Sequence, residues 1–267
     1  ETQFGMRPGI TLLRQEIPIR LHSVATMSRV AVIGYGSIGQ RHVATVRESM
    51  PGAEILVHSS RPLVGQQFRV TSSLESVRNF DPKLAIVCGA ASGRLDAIDA
   101  LPADMLGVLI EKPLALDYAH GVAVKAALQR QTGVVQVGYN LRFSNSLTMF
   151  KTMIDARVLG DLLGVRAETG QHLSSWRTGR SYQDTVSSKR ELGGGVLREL
   201  SHELDYLTWI FGDVAWVSAW HGQRSGLEID VEDSAHITLG FEDSEAKPGL
   251  IAQLNLDFFR RDSTRLV

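Results

Sequence analysis

Three stretches of this chain hold residues of the types and spacing that hold phosphates and move protons. The first is Gly34-Tyr35-Gly36-Ser37-Ile38-Gly39. It follows the apolar, β-branched run Val30 to Ile33 and precedes Gln40 to Arg47, which lacks Gly and Pro and reads as a helix. A glycine turn between strand and helix is the setting in which G-x-G-x-x-G binds a dinucleotide. Gly34 makes the tight turn, Gly36 lets the backbone approach a pyrophosphate, and Gly39 lets helix and strand pack closely. Free N–H groups at the helix N-terminus complete the phosphate site. The second stretch is Glu111-Lys112-Pro113, directly after the apolar Gly107 to Ile110. Ligands of open parallel sheets lie beyond the carboxyl ends of the strands, so Lys112 belongs on the same rim as the glycine turn. A lysine near a nicotinamide suits proton transfer, and Glu111 is expected to hold it by an ion pair. A solvated surface lysine is the plain alternative.

The third stretch surrounds His202. Leu197, Leu200, Leu204, Leu207 and Phe211 recur at helical spacing and predict the buried stripe of one helix. That wheel places His202, with Glu199 and Asp205 three residues either side, on the opposite face. Tyr206 and Trp209 fall there too, which favours a cleft or an interface over a plainly solvated face. An imidazole can accept a hydroxyl proton near neutral pH, and a neighbouring carboxylate is expected to orient the ring and raise its pKa. His202 and Lys112 are the expected catalytic pair.

The end of the second strand distinguishes between cofactors. An NAD site usually carries an acid there, about 20 residues after the glycines, for the ribose 2′-hydroxyl. This chain has Ser59-Ser60-Arg61 instead. Hydroxyls and a guanidinium suit a 2′-phosphate, so NADP(H) is favoured over NAD(H). Glu111 and Lys112 are counted with these residues around the cofactor. Substrate contacts are expected from Asn140 and Arg142, then from His172, Trp176, Arg177 and Tyr182 in the loop before Gly193-Gly194-Gly195, with Glu199 and His202 facing them. Aromatic rings beside hydrogen-bonding groups fit the apolar face and hydroxyls of a sugar, although each residue singly could equally be core or surface. The triple glycine permits either a close approach or a tight turn. No metal site is expected, because His202 with Glu199 and Asp205 lacks the H-E-x-x-H pattern and other histidines lack ligand spacing.

The elements that must position these residues follow an α/β order. Strand-like runs at Ile55 to Val57, Leu84 to Cys88, Gly107 to Ile110 and Val134 to Val137 alternate with helical stretches, predicting a doubly wound, Rossmann-like parallel sheet over residues 27–140. Residues 141–267 change pattern. Val214 to His221, Ser234 to Phe241 and Gly249 to Phe258 read as strands of a mostly antiparallel open sheet, with Leu250, Ala252, Leu254, Leu256 and Phe258 on one face. The fold class is α/β plus α+β. Residues 1–26 read as a leader or extension outside the core. A net charge of -1 gives no case for nucleic acid or a membrane surface, and no apolar run approaches the roughly 18 residues of a membrane span. The single cysteine, Cys88, fits a small buried hydrophobe and a reducing cytoplasm.

GYGSIG at Gly34 to Gly39, EKP at Glu111 to Pro113, VGYNLRF at Val137 to Phe143 and GGGVLRELSHELDYLTWIFG at Gly193 to Gly212 occur in that order. In these runs the chain resembles the Gfo/Idh/MocA oxidoreductases, two-domain NAD(P)-dependent enzymes acting mainly on sugars and inositols. The resemblance implies proton transfer at Lys112, the second-domain histidine at His202, and a substrate cleft lined by the loop before the triple glycine. It also implies a homo-oligomer, dimer or tetramer, through the second sheet. The GYNLRF and SHELDYL runs are similar to those of relatives in bacterial surface-polysaccharide metabolism. Three features depart from the family pattern: Glu199 stands where an aspartate is usual, with spacing one residue shorter; Arg94 replaces a loop histidine and is expected to alter the cofactor pocket or bind a phosphate; and the chain stops at Val267, short of the family's last strand or strands. The last two motivate an alternative reading, a cofactor-binding regulator or partner subunit without catalysis. An isomerase or lyase reusing NAD as a hydride store is a third.

Overall fold

A computed structural model describes residues 28–177, 179–243 and 249–267. The expected leader, residues 1–26, lies outside the described residues. The first sheet contains β1 (Arg29–Ile33), β2 (Glu54–His58), β3 (Arg69–Thr71), β4 (Leu84–Val87), β5 (Gly107–Ile110) and β6 (Val134–Val137). They run parallel in the order β3-β2-β1-β4-β5-β6. Helices α1 (Ser37–Ser49), α2 (Leu74–Asn79), α3 (Arg94–Asp99) and α4 (Tyr118–Leu128) alternate with the strands. Apolar runs such as Val30 to Ile33 are buried on both faces, at 0–4% exposure, as strands covered by helices require. Strand order reverses between β1 and β4, which opens a crevice at their carboxyl ends.

That crevice is built by backbone contact. Gly34 has φ +102° and lies so close to Cys88 and Gly89, after β4, that a Cβ would meet the Gly89 nitrogen at 2.5 Å. A Cβ on Gly39 would meet the Gly34 carbonyl oxygen at 2.1 Å. The expected close packing of helix on strand is therefore present. The Cys88 thiol donates to the Gly34 carbonyl at 3.1 Å, and burial pushes its pKa up to about 12.

The second sheet has the order β11-β7-β10-β9-β8, formed by β7 (Val165–Gly170), β8 (Val214–Gly222), β9 (Ser234–Phe241), β10 (Ile251–Asp257) and β11 (Thr264–Leu266). It is mixed, with β7 and β10 parallel and the other pairs antiparallel. Ala252, Leu254, Leu256 and Phe258 are at most 1% exposed and share one core, each large side chain contributing roughly 1.5–3 kcal/mol. Against this face pack α5 (Asn145–Asp155), α6 (Val196–Glu199) and α7 (His202–Phe211).

The single helix expected around His202 is two pieces, because α6 stops at Glu199 and α7 starts at His202. The buried face of α7 is Glu203, Tyr206, Leu207, Ile210 and Phe211, turned by roughly 70° from the leucine stripe on a 3.6-residue wheel. Tyr206 is thus 1% exposed in the core and does not face the cleft. Tyr206, Leu207, Ile210 and Phe211 bury apolar surface in the sheet core on that face, and Glu203, fully buried beside them, accepts at Oε1 from Thr169 Oγ1 at 2.9 Å and Arg265 Nε at 2.7 Å. Among the described residues, no helix is long and apolar enough to cross a membrane.

Candidate active site

The glycine turn caps α1 with Gly36, which has only open space within 4 Å of where a Cβ would stand. Tightness at Gly34 and Gly39 with room at Gly36 is the combination a pyrophosphate on a helix N-terminus needs. Tyr35 leans on Phe68, ring centroids 5.4 Å apart, and Ser37 and Ile38 begin the helix. Beyond β2, Ser59 is buried and its hydroxyl is engaged locally, donating to the Arg61 carbonyl at 2.8 Å and accepting from the Arg61 N–H at 3.1 Å. Ser59 therefore shapes the turn, while Ser60 and Arg61 are exposed on it.

Glu111 does not hold Lys112. Its Oε1 lies 2.7 Å from His42 Nε2 of α1, and its carboxylate lies over Gly138. The reason is local geometry: consecutive residues leaving a strand point to opposite faces. Lys112 instead crosses to the second domain, donating to the Glu199 carbonyl at 2.8 Å and to Glu199 Oε2 at 3.0 Å. Both side chains are largely buried, at 17% and 13% exposure. The carbonyl is available because α6 ends there, leaving its last oxygens without helical partners. Ser187 Oγ donates to the other carboxylate oxygen at 3.0 Å.

Arg94 does not offer itself to a phosphate. It is 1% exposed and donates to the Val87 carbonyl at 2.7 Å and the Pro113 carbonyl at 3.1 Å, bracing the end of β4 against the turn that carries Lys112. Burial lowers its pKa to about 10.

His202 opens α7 half-buried, edge-on to Tyr139 with ring centroids 5.6 Å apart. Its Nδ1 is buried and has no hydrogen-bond partner among the described residues. Burial, then the Lys112 and Arg265 cations, push its pKa down from 6.5 to about 4; Asp205 and Glu111 oppose this less strongly. The expected rise from a neighbouring carboxylate is thus reversed. Asp205 is occupied elsewhere, taking a two-pronged ion pair from Arg142 at 2.9 and 2.7 Å. That pair ties Arg142 to the second domain beside Trp209, whose ring centroid lies 5.8 Å from the guanidinium.

The other sequence candidates are less tightly gathered. Asn140 is exposed at the start of a short turn, Asn140–Phe143. His172 Nδ1 lies 2.8 Å from Ser174 Oγ. Trp176 packs edge-on to Phe258 and donates to the Gln171 carbonyl at 3.3 Å, and the Tyr182 hydroxyl accepts from the Glu228 N–H at 3.3 Å. Both rings rest partly on the second core, yet with Arg177 and Ser187 they line one small pocket. Through Ser187 that pocket adjoins Glu199 and so Lys112. His42, Tyr139, Ser187 and Arg265 were not singled out by sequence. Each contacts or acts on its partner across at least 12 residues, and no local pattern marks such a meeting.

Residues 28–139 match the model of an oxidoreductase family with an NAD-binding Rossmann fold, and residues 148–266 match the GFO/IDH/MocA C-terminal domain. The chain belongs to the Gfo/Idh/MocA family. This Gfo/Idh/MocA chain is 26% identical over 259 residues to inositol 2-dehydrogenase of Gluconacetobacter diazotrophicus, covering 85% of its own length and 73% of that protein. It is 28% identical over 199 residues to inositol 2-dehydrogenase/D-chiro-inositol 3-dehydrogenase of Halalkalibacterium halodurans, covering 69% of this chain and 53% of that one. It therefore spans between about half and three-quarters of these curated relatives. In fold it is similar to the WlbA dehydrogenase of Chromobacterium violaceum, solved with NADH and UDP-GlcNAcA: TM-score 0.73, 19% identity, 89% of this chain and 69% of that one.

Proposed function

We propose that this protein is an NADP(H)-dependent oxidoreductase that interconverts a hydroxyl and a carbonyl on a sugar, sugar derivative or inositol-like polyol. The observation that supports this best is the bond from Lys112 of the first domain to Glu199 of the second, just ahead of His202. The lysine is held at Glu199, three residues before a histidine whose basicity its charge lowers. The glycine turn Gly34 to Gly39, with Ser60 and Arg61 beside the 2′-phosphate, would hold NADP(H), which when bound would supply the hydride acceptor or donor. In the oxidative direction His202, neutral at neutral pH, takes the hydroxyl proton at Nε2, since Nδ1 is the buried nitrogen. Lys112 donates a hydrogen bond to the same oxygen and steadies the charge developing on it. Relatives named for inositol support the polyol class, and a place in the making of surface sugars rests on the GYNLRF and SHELDYL runs alone.

The test is formation of NADPH with a panel of inositols, hexose phosphates and nucleotide sugars; no turnover on any of them would sink the redox reading. On an accepted substrate, Arg61→Ala is expected to raise the KM for NADPH about 10- to 100-fold and that for NADH less than about threefold. Equal effects on both cofactors would remove Arg61 from the 2′-phosphate.

We also infer a homo-oligomer assembled through the outer face of the second sheet. Trp216 and Ile251, both registered on Gly240, are 48% and 43% exposed there, and Trp220 is 39% exposed. Apolar side chains grouped on one face of a soluble sheet mark an association surface. Sedimentation at micromolar concentration should give a dimer or tetramer that Trp216→Lys dissociates; a wild-type monomer would refute this.

A further inference from the structure

We propose that Arg265 contacts substrate and selects for an anionic group, a carboxylate or phosphate carried by the sugar whose hydroxyl meets His202. This deepens the preceding reading and rests on its placement of the reacting hydroxyl.

The argument begins with register. Arg265 of β11 pairs with Thr169 of β7, and Thr169 is buried on the face covered by α7. Arg265 therefore stands on the helix side of the sheet, the side to which His202 belongs. Its guanidinium is anchored by one nitrogen only. Nε donates at 2.7 Å to Glu203 Oε1, and Glu203 is fully buried and held by Thr169 at 2.9 Å. Both bonds converge on Oε1, while the buried Oε2 has no hydrogen-bond partner among the described residues, so Glu203 mounts the cation through one oxygen. The two outer nitrogens have no hydrogen-bond partner among the described residues, and the side chain is 46% exposed. A guanidinium presented edge-on in this way matches the two oxygens of a carboxylate or phosphate.

Position fixes which molecule it would meet. Glu203 follows His202 at the start of α7, so the guanidinium that Glu203 holds at 2.7 Å stands beside the end of the helix that His202 opens, and its charge lowers the basicity of that ring. A half-exposed fork mounted at that helix end is placed to meet an anionic group on a molecule that His202 serves. A purely structural arginine would be expected to spend its outer nitrogens on main-chain carbonyls, as the buried Arg94 does.

The experiment uses the full chain with NADP⁺ and labels arginines with phenylglyoxal, reading the Arg265 peptide by mass spectrometry. Glucuronate, glucose 6-phosphate and myo-inositol are the probes. At least one of the two anions should slow labelling of Arg265 while myo-inositol leaves it unchanged, and whichever anion protects identifies carboxylate or phosphate. Protection by neither anion, or equal protection by myo-inositol, overturns the proposal. Arg265→Lys keeps a cation on Glu203 but loses the fork. It should raise the KM of the protecting anion about 10- to 100-fold with kcat changed less than about threefold. An equal rise for a neutral polyol, or a loss confined to kcat, assigns Arg265 to the fold alone and overturns the proposal as well. Selective protection without turnover of any sugar would leave this site standing and refute the redox reading instead.

Discussion

Lys112→Met is expected to lower kcat by about 10²- to 10³-fold, the cost of removing a donor to an oxygen on which charge develops, with a much smaller change in KM. Methionine keeps most of the length and apolar stem of lysine, so the loss reports the ammonium. The geometry adds a second consequence. Glu199 is 13% exposed and keeps only the Ser187 hydroxyl at 3.0 Å once the lysine is gone. A largely buried carboxylate deprived of its cation destabilises the fold. Thermal melts should therefore show Lys112→Met less stable than wild type, with Lys112→Met/Glu199→Gln recovering much of that loss. Turnover should not recover in the double variant. Steady-state rates and melts on the same preparations separate the effects, and undiminished turnover in Lys112→Met would end the catalytic assignment.

The second large effect is carried by His202. With its pKa lowered from 6.5 to about 4, the ring stays an unprotonated base through the mildly acidic range. The acid limb of kcat/KM for the oxidative direction should accordingly fall near pH 4 to 5 rather than near 6.5. His202→Asn should cost about 10²- to 10⁴-fold in kcat and abolish that limb. A wild-type limb at 6.5 would mean that the base is exposed and is another residue. Stability follows the same shift. Between about 6.5 and 4 the unfolded chain holds a proton on His202 that the folded chain refuses. Stability must therefore fall as pH drops through this window and stop responding to this group below it. Thermal midpoints across the window should fall more steeply for wild type than for His202→Asn.

Much of this arrangement was legible in the order of residues. The apolar runs Val30 to Ile33 and Gly107 to Ile110 mark strands because parallel strands are buried on both faces, and the alternation from Leu250 to Phe258 marks a sheet with one buried side. Strands β3, β7 and β11 were not read from the sequence: Arg69 to Thr71 and Thr264 to Leu266 are too short to show a period, and the alternation from Val165 to Thr169, a strand signal, was overlooked. The pairing of Glu111 with Lys112 failed because adjacency along a chain is not adjacency in space; each found its partner on a different helix. The wheel around His202 failed because it assumed one continuous helix. The break at Leu200-Ser201 resets the phase of α7, whose buried face becomes Glu203, Tyr206, Leu207, Ile210 and Phe211. Arg94 read as a free cation because sequence does not show that the Val87 and Pro113 carbonyls lie within its reach.

The break between α6 and α7 bears on how this site tolerates change. Lys112 is bound partly by a main-chain oxygen, which every residue type supplies at position 199. Its location is therefore written into the path of the backbone as well as into a side chain. The Glu199 carboxylate adds a second bond to that backbone contact, so a change of acid at 199 would remove one of the two and leave the other. Divergence can thus revise the acid and leave the lysine where it was.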